Sequence, residues 1–239
     1  MPSPGKTGRG TIAGPVGKLE CMVSVPAETP RGIAVTCHPH PLHGGAMGNK
    51  VVYALDAVAQ KLGMATARFN FRGVGASQGT HDNAQGEIDD CLSVVEWMRS
   101  SFPEQPLLLS GFSFGAYVAL AAAHRAEPKV LVSVAPPFGR YFERDIDPPH
   151  PECPWLVVHA RDDDVVDFAE TQTALAQYTP GPALAPMEEG GHFFHGRLQD
   201  IRGVPLARVS HPLDSDMKWG GLGRYTVAII QFRRRPICD

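Results

Sequence analysis

Two spacings of apolar residues alternate along the chain, and their order predicts strands that alternate with helices. Continuous apolar runs rich in β-branched residues, typical of strands buried on both faces, occupy residues 32–39, 64–71, 106–113, 129–137 and 153–160. Apolar residues three or four positions apart predict helices over residues 49–63, 86–102, 114–126 and 167–178. This alternation is typical of an α/β fold with a mostly parallel, doubly wound sheet.

The two ends of this pattern are less regular. Residues 11–13 and the segment KLECMVSVPA at 18–27 predict two strands with no helix between them, so the sheet is expected to start antiparallel. A weak strand at 182–189 and a helix beginning at residue 192 are expected to end the pattern. Because the connections are short, we expect a minimal cap, for which the longest connection, residues 138–152, is the candidate.

The pattern sets the expected domain boundaries. Residues 1–10 are rich in Gly, Pro and Ser, which predicts a disordered N-terminus. Residues 204–239 lack the amphipathic helix expected to complete the fold, and we interpret them as an atypical C-terminal tail. One α/β domain over residues 11–203 is therefore predicted.

Composition narrows the function classes. Apolar residues make up 43% of the chain and charged residues 20%, and the net charge of −3 argues against a nucleic-acid partner. No apolar run approaches the roughly 18 residues of a membrane span, and no apolar leader follows Met1. The five cysteines are widely spaced, which argues against a disulfide framework or a metal clip. We expect a cytoplasmic protein with a small-molecule partner; the sequence leaves the oligomeric state open.

The segment Gly111-Phe112-Ser113-Phe114-Gly115 carries the strongest chemical signal. It matches G-x-S-x-G and lies between a predicted strand and a predicted helix, the context in which such a serine is a nucleophile. Its turn would expose the Ser113 hydroxyl above the sheet and direct the backbone N–H of Phe114 at a developing oxyanion. The alternative is a tight strand–helix turn with an ordinary serine cap.

A second oxyanion donor is expected in the loop into which strand 32–37 runs. The loop reads His38-Pro39-His40-Pro41, and proline has no N–H to donate, so His40 supplies the candidate backbone donor. A metal site is the alternative, because His43 adds a third histidine, but no acidic residue lies in the loop. A purely structural loop is a further alternative. We expect neither a metal nor another cofactor.

A serine nucleophile needs a base, and the base needs a carboxylate to orient it. Asp162, Asp163 and Asp164 follow the strand ending at residue 160, and we favour Asp163 as the acid. In the segment GGHFFHG at 190–196, His192 is the favoured base and His195 its competitor.

These segments together resemble a known family, the small lid-poor bacterial α/β-hydrolases related to dienelactone hydrolases and to the catalytic domains of prolyl-oligopeptidase-like enzymes. The resemblance extends over about residues 15 to 200 and rests on the segments CHPHPLHGGAMGNKVV, FNFRGVGASQG, GFSFG, ARDDDVV and GGHFFHG. It implies an α/β-hydrolase fold and Asp163 as the acid, although Ala160 replaces the glycine that usually begins the acid motif.

The resemblance also implies a function. The chain is expected to be a serine hydrolase that cleaves small carboxylic esters through an acyl-enzyme, with Ser113, Asp163 and His192 as the triad. A peptidase or a thioesterase with the same triad is an alternative. A non-catalytic binding protein on the same fold is an alternative of another class.

Overall fold

The computed structural model describes residues 1–140 and 147–203, which form one eight-stranded sheet with helices on both faces. The strands are β1 Thr7–Gly14, β2 Gly17–Ser24, β3 Ile33–Cys37, β4 Ala65–Phe69, β5 Leu107–Phe112, β6 Val130–Val134, β7 Trp155–Ala160 and β8 Ala183–Met187. The helices are α1 Lys50–Lys61, α2 Gln85–Ser101, α3 Phe114–Ala126, α4 Phe168–Leu175 and α5 Leu198–Gly203.

The strand order across the sheet is β1-β2-β4-β3-β5-β6-β7-β8. β2 pairs antiparallel with both β1 and β4, and every other neighbouring pair is parallel. The predicted fold class, with its antiparallel start, is therefore confirmed. In such a sheet the loops after the parallel strands meet at one edge, where ligands of this fold class bind.

Both faces of the sheet are covered. Helices α2 and α3 contact each other over one face, and α1 and α5 contact each other over the other. Helix α3 is rich in alanine and almost wholly buried, and these short side chains allow it to lie close to the sheet. At the start of α1, the predicted cap Asn49 accepts hydrogen bonds from the N–H groups of Val51 and Val52.

Two expectations about the chain ends need comment. The predicted disorder of residues 1–10 is wrong from Thr7 onward, because β1 begins there and pairs with β2 along its whole length. Pairing with the largely buried strand β2 orders these residues, although their Gly-rich composition predicted disorder. The predicted tail, 204–239, lies outside the described residues, as do residues 141–146 of the candidate cap.

Helix α5 also differs from its prediction. It begins at Leu198, whereas the sequence predicted a helix from residue 192. Residues 191–197 form turns instead, and Gly191 and Gly196 have φ angles of 56° and 72°, which a right-handed helix does not allow. Among the described residues, no helix combines the length and the hydrophobicity that crossing a bilayer requires.

Candidate active site

Ser113 occupies the sharp turn between β5 and α3. Its φ of 52° and ψ of −123° place a non-glycine residue in a strained backbone conformation. The conformation is held from both sides: the Ser113 N–H donates to the carbonyl of Val134 at 2.8 Å, and its own carbonyl accepts from the N–H groups of Ala116 and Tyr117. The side chain is thereby fixed at the carboxyl edge of the sheet.

The two glycines of the motif permit this turn because the backbone passes itself closely. A Cβ added at Gly111 would lie 2.1 Å from the carbonyl oxygen of Gly115. A Cβ added at Gly115 would lie 2.4 Å from the carbonyl oxygen of His38, in the loop after β3. The motif therefore brings strand, helix and the neighbouring loop together around Ser113.

Ser113, His192 and Asp163 form one chain of hydrogen bonds. The Nε2 of His192 lies 3.0 Å from the Oγ of Ser113, and its Nδ1 lies 2.9 Å from the Oδ2 of Asp163. All three residues are at least nine-tenths buried. Because the ionised carboxylate only accepts, Nδ1 carries the proton and Nε2 is left to accept from the serine hydroxyl.

The turns before α5 hold His192 at this edge. The His192 ring lies 5.0 Å from that of Phe112, the last residue of β5. Phe194 is fully buried in the core between the sheet and α1, and it anchors the loop from the other side. His195, the competing candidate for the base, is exposed on the same turn.

Asp163 follows β7, and its carboxylate is tied into its own loop. Oδ1 accepts hydrogen bonds from the backbone N–H groups of Val165 at 2.9 Å and Val166 at 2.8 Å. Burial alone would raise the pKa of Asp163, but hydrogen bonds from His159, His192 and the Val166 N–H outweigh it, and the net shift is downward. The carboxylate is therefore ionised at neutral pH.

The neighbouring aspartates point elsewhere. Asp162 is exposed and accepts hydrogen bonds from the N–H groups of Gly190 and Gly191, at 3.1 and 2.9 Å. Asp164 is exposed. Asp167 caps α4 by accepting from the N–H of Glu170 at 2.8 Å. The consecutive acids thus diverge, and of Asp162, Asp163 and Asp164 the structure brings only Asp163 to the imidazole.

The predicted oxyanion residues lie on the two segments next to Ser113. Phe114 is the first residue of α3, and His40 lies in the loop after β3, with the two rings 5.0 Å apart. The carbonyl of His40 accepts from the N–H groups of His43 and Gly45, so the loop folds back on itself. Burial, and then the neighbouring His43 and His81, lower the pKa of His40 to about 4.

The metal alternative gains no support from His38. Its Nδ1 donates to the carbonyl of Pro39 at 2.6 Å, and its Nε2 accepts from the backbone N–H of Phe71 at 3.0 Å, so both nitrogens are occupied. Over residues 1–140 and 147–203, no group of three or more His, Cys, Asp or Glu side chains is arranged to hold a metal ion.

The sequence did not predict the contacts that two residues make next to this site. Asp162 was weighed only as a rival acid, although it holds the loop of His192. His159 was not identified from the sequence, yet its Nε2 lies 3.2 Å from the Oδ2 of Asp163. A histidine inside an otherwise apolar strand, four residues before the acid, is the signal that could have identified it.

Comparisons with known proteins agree with this fold. Residues 28–148 match the family model described as serine aminopeptidase, S33. The solved structure of XC6422 from Xanthomonas campestris, an α/β serine hydrolase without a lid, is 42% identical, with a TM-score of 0.78 over 84% of this chain and 92% of that one.

Curated relatives match over shorter stretches. The protein RP471 of Rickettsia prowazekii (strain Madrid E) is 35% identical over 157 residues, 64% of this chain and 66% of RP471. Lysophosphatidylserine lipase ABHD12 of Rattus norvegicus is 29% identical over 166 residues, 53% of this chain and 42% of the lipase. The chain thus spans just under two thirds of the first relative and less than half of the second.

Proposed function

The chain belongs to the α/β-hydrolase superfamily of serine hydrolases, and we propose that it cleaves small carboxylic esters through an acyl-enzyme intermediate. The observation that carries the proposal is the hydrogen-bond chain from the hydroxyl of Ser113 through His192 to Asp163. A hydroxyl is a weak nucleophile until an adjacent base can take its proton, and this arrangement supplies the base and its orienting carboxylate.

In the first half of the reaction, Ser113 Oγ attacks the ester carbonyl carbon and its proton passes to His192 Nε2. The carbonyl oxygen becomes an oxyanion, and Asp163 stabilises the imidazolium that has formed. Collapse of the tetrahedral intermediate breaks the bond to the leaving alcohol, which takes the proton from Nε2. The acyl group then remains on Ser113.

In the second half, water replaces the alcohol. His192 Nε2 removes a proton from the water, whose oxygen attacks the acyl carbon, and the acid product leaves as the proton returns to Ser113 Oγ. The enzyme is then restored, and the net reaction adds one water to one ester.

We assign the oxyanion to the backbone N–H groups of Phe114 and His40. The start of α3, directly after Ser113, supports the first donor, because the positive end of a helix dipole favours negative charge there. Contact between the rings of His40 and Phe114 supports the second, because it places the β3 loop beside α3. One such donor is worth roughly 10²–10³ in kcat.

We propose an ester rather than another acyl compound as the substrate. The names of the similar proteins indicate which other substrate classes should be compared with it. The family model is named for an aminopeptidase and the rat relative for a lysophosphatidylserine lipase. A panel of p-nitrophenyl acetate and butyrate, an aminoacyl p-nitroanilide, an acyl thioester and lysophosphatidylserine would rank these classes. We expect the highest kcat/KM for the two short esters; a higher value for any other substrate would reassign the class.

The role of the serine is tested by one substitution and its control. Ser113→Ala should lower kcat about 10⁴-fold or more, because the nucleophile is lost. Ser100→Ala, an exposed serine on α2, should leave kcat unchanged. A fluorophosphonate probe should label the wild-type protein and the Ser100 variant but not the Ser113 variant.

The same probe separates an enzyme from a binding protein on this fold. A binding protein would not label at Ser113. Equal hydrolysis rates for the wild-type protein and Ser113→Ala would also reject the enzymatic function.

A further inference from the structure

His159 approaches the carboxylate of Asp163 from inside the sheet. It lies in β7, four residues before Asp163, and its side chain is fully buried. Its Nε2 is 3.2 Å from the Oδ2 of Asp163 and 3.0 Å from the carbonyl oxygen of Val166. The imidazole therefore bridges the acid and the end of the acid loop.

The partners of this ring fix its tautomer. The carbonyl oxygen of Val166 and the ionised carboxylate of Asp163 are both acceptors, so Nε2 must carry a proton and donate it. The other nitrogen, Nδ1, is buried and has no hydrogen-bond partner in the part of the chain that the structure describes. A single donor shared between two acceptors holds the ring in one orientation.

We propose that His159 is a positioning residue for the triad: its Nε2–H fixes the Asp163 oxygen that orients His192. The inference rests on the proposed function of this site, since positioning has a meaning only if His192 acts as the base.

The distribution of donors around the carboxylate carries the argument. Oδ1 of Asp163 is held by the backbone N–H groups of Val165 and Val166. Oδ2 is the oxygen nearer to His192 Nδ1, at 2.9 Å against 3.1 Å for Oδ1. Without His159, Oδ2 would have no second donor among the described residues, and the rotation of the carboxylate about its bond to Cβ would be less constrained.

The N–H of His159 also affects how strongly the Asp163–His192 pair holds a proton. The described titratable groups nearest the carboxylate are His159 from β7, His192 from the loop before α5 and Asp162, which turns to the N–H groups of Gly190 and Gly191. Without the His159 donor, Asp163 directs more of its charge toward His192, so the Asp163–His192 pair retains a proton to higher pH.

Two variants separate the donor from the bulk of the ring. His159→Gln keeps an N–H at a similar distance from the backbone, whereas His159→Leu keeps an apolar side chain of similar size and removes the donor. The leucine variant should lose roughly 10-fold to 100-fold in kcat with KM nearly unchanged. As the solution is acidified, the kcat/KM of the leucine variant should also begin to fall at a higher pH than the kcat/KM of the wild-type protein. The glutamine variant should retain most of the kcat and the wild-type pH profile.

A substrate-free measurement keeps the test separate from the proposed function. Nitrogen-15 NMR of the histidine side chains of the wild-type protein should show His159 protonated at Nε2 and bare at Nδ1. The same spectra, recorded against pH, should show the His192 ring keeping its extra proton to higher pH in the leucine variant than in the glutamine variant.

The outcomes distinguish the two hypotheses. A wild-type protein that hydrolyses no acyl substrate would reject the proposed function, while the NMR titration would still decide whether His159 acts on the Asp163–His192 pair. The positioning role is overturned if His159 is protonated at Nδ1 alone, if the leucine variant keeps the wild-type titration, or if the glutamine variant is as impaired as the leucine variant. Should the leucine variant not fold, the wild-type tautomer and the glutamine variant still decide the question.

Discussion

The carboxylate of Asp162 accepts a 2.9 Å hydrogen bond from the backbone N–H of Gly191, the residue directly before His192. A second bond, from the N–H of Gly190, makes the contact bidentate, and the bonds from Gly191 and Gly190 together lower the pKa of Asp162. Two consecutive aspartates after β7 therefore position His192 in different ways. Asp163 contacts the imidazole, and Asp162 holds the loop that carries it.

Asp162→Ala should reduce activity although Asp162 does not contact Ser113 or the ring of His192. Without the two backbone hydrogen bonds, the glycine-rich loop can move, and a displacement of about 1 Å at a reacting group can cost roughly 10²-fold. We expect a decrease in kcat of roughly 10-fold to 100-fold in an ester hydrolysis assay. The control is Asp164→Ala, because Asp164 is exposed and adjacent; equal effects of the two substitutions would reject the assignment.

Acid should lower the free energy of unfolding through His40, in the loop after β3, before it protonates Asp163. Burial, and then the charges of His43 and His81, lower the pKa of His40 from 6.5 to about 4. Between these two values His40 binds a proton in the unfolded chain but not in the folded chain, so its contribution lowers the free energy of unfolding as the pH falls from about 6.5 to about 4.

This dependence can be measured by urea unfolding at several pH values. The wild-type protein should lose more stability than His40→Gln between pH values of about 6.5 and 4, since glutamine does not titrate. Substitution of the exposed His195 by glutamine is the control and should keep the wild-type slope. If His40→Gln also keeps that slope, His40 is not the group that responds.

The sequence predicted most of this site because the relevant signals are local. The apolar runs predicted the strands, and the G-x-S-x-G motif placed Ser113 at a strand–helix junction, where its positive φ occurs. The helix predicted from residue 192 was wrong at its start. The apolar residues in GGHFFHG suggested a helix, but the glycines there adopt left-handed conformations that favour turns.

The choice among the aspartates could not be settled by local signals. Asp162, Asp163 and Asp164 have the same chemistry, and only the path of the loop decides which one faces the imidazole. His159 was missed for a related reason. Its partner Asp163 is close in the chain, but the contact depends on how the loop after β7 turns back on the strand.

Protonation of Asp163 should remove a second contribution to the free energy of unfolding, at a lower pH than protonation of His40 does. Although burial opposes ionisation, the hydrogen bonds to Asp163 hold its pKa below the usual 3.8. A group with a lowered folded pKa stabilises the protein above its unfolded pKa, and this contribution is lost as the pH falls below about 4. Below that pH, the free energy of unfolding of Asp163→Asn should therefore fall less steeply with acidification than that of the wild-type protein.

The same variant should also lose activity at neutral pH. An asparagine can present its N–H₂ group to His192 Nδ1, which favours the tautomer that cannot accept from Ser113, and we expect a decrease in kcat of about 10⁴-fold. Urea unfolding from a pH of about 5 to about 2 and ester hydrolysis at neutral pH measure the two effects. Wild-type kcat in Asp163→Asn would exclude Asp163 as the acid.

The last prediction concerns the close approach of the backbone around Ser113. Gly111→Ala and Gly115→Ala would each place a Cβ less than 2.5 Å from a backbone oxygen, which cannot move as the end of a flexible side chain can. We expect each substitution to lower the free energy of unfolding by at least about 2 kcal/mol. We also expect it to lower kcat, because the adjustment displaces Ser113 from His192.

The matched control is Gly10→Ala in β1, where an added Cβ meets nothing within 4 Å and stability should change by no more than about 0.5 kcal/mol. Urea unfolding and fluorophosphonate labelling rates of the three variants would check this. If Gly115→Ala were as stable and as reactive as Gly10→Ala, the backbone of the nucleophile turn would not be in contact with the β3 loop, and the placement of the oxyanion donors would have to be abandoned with it.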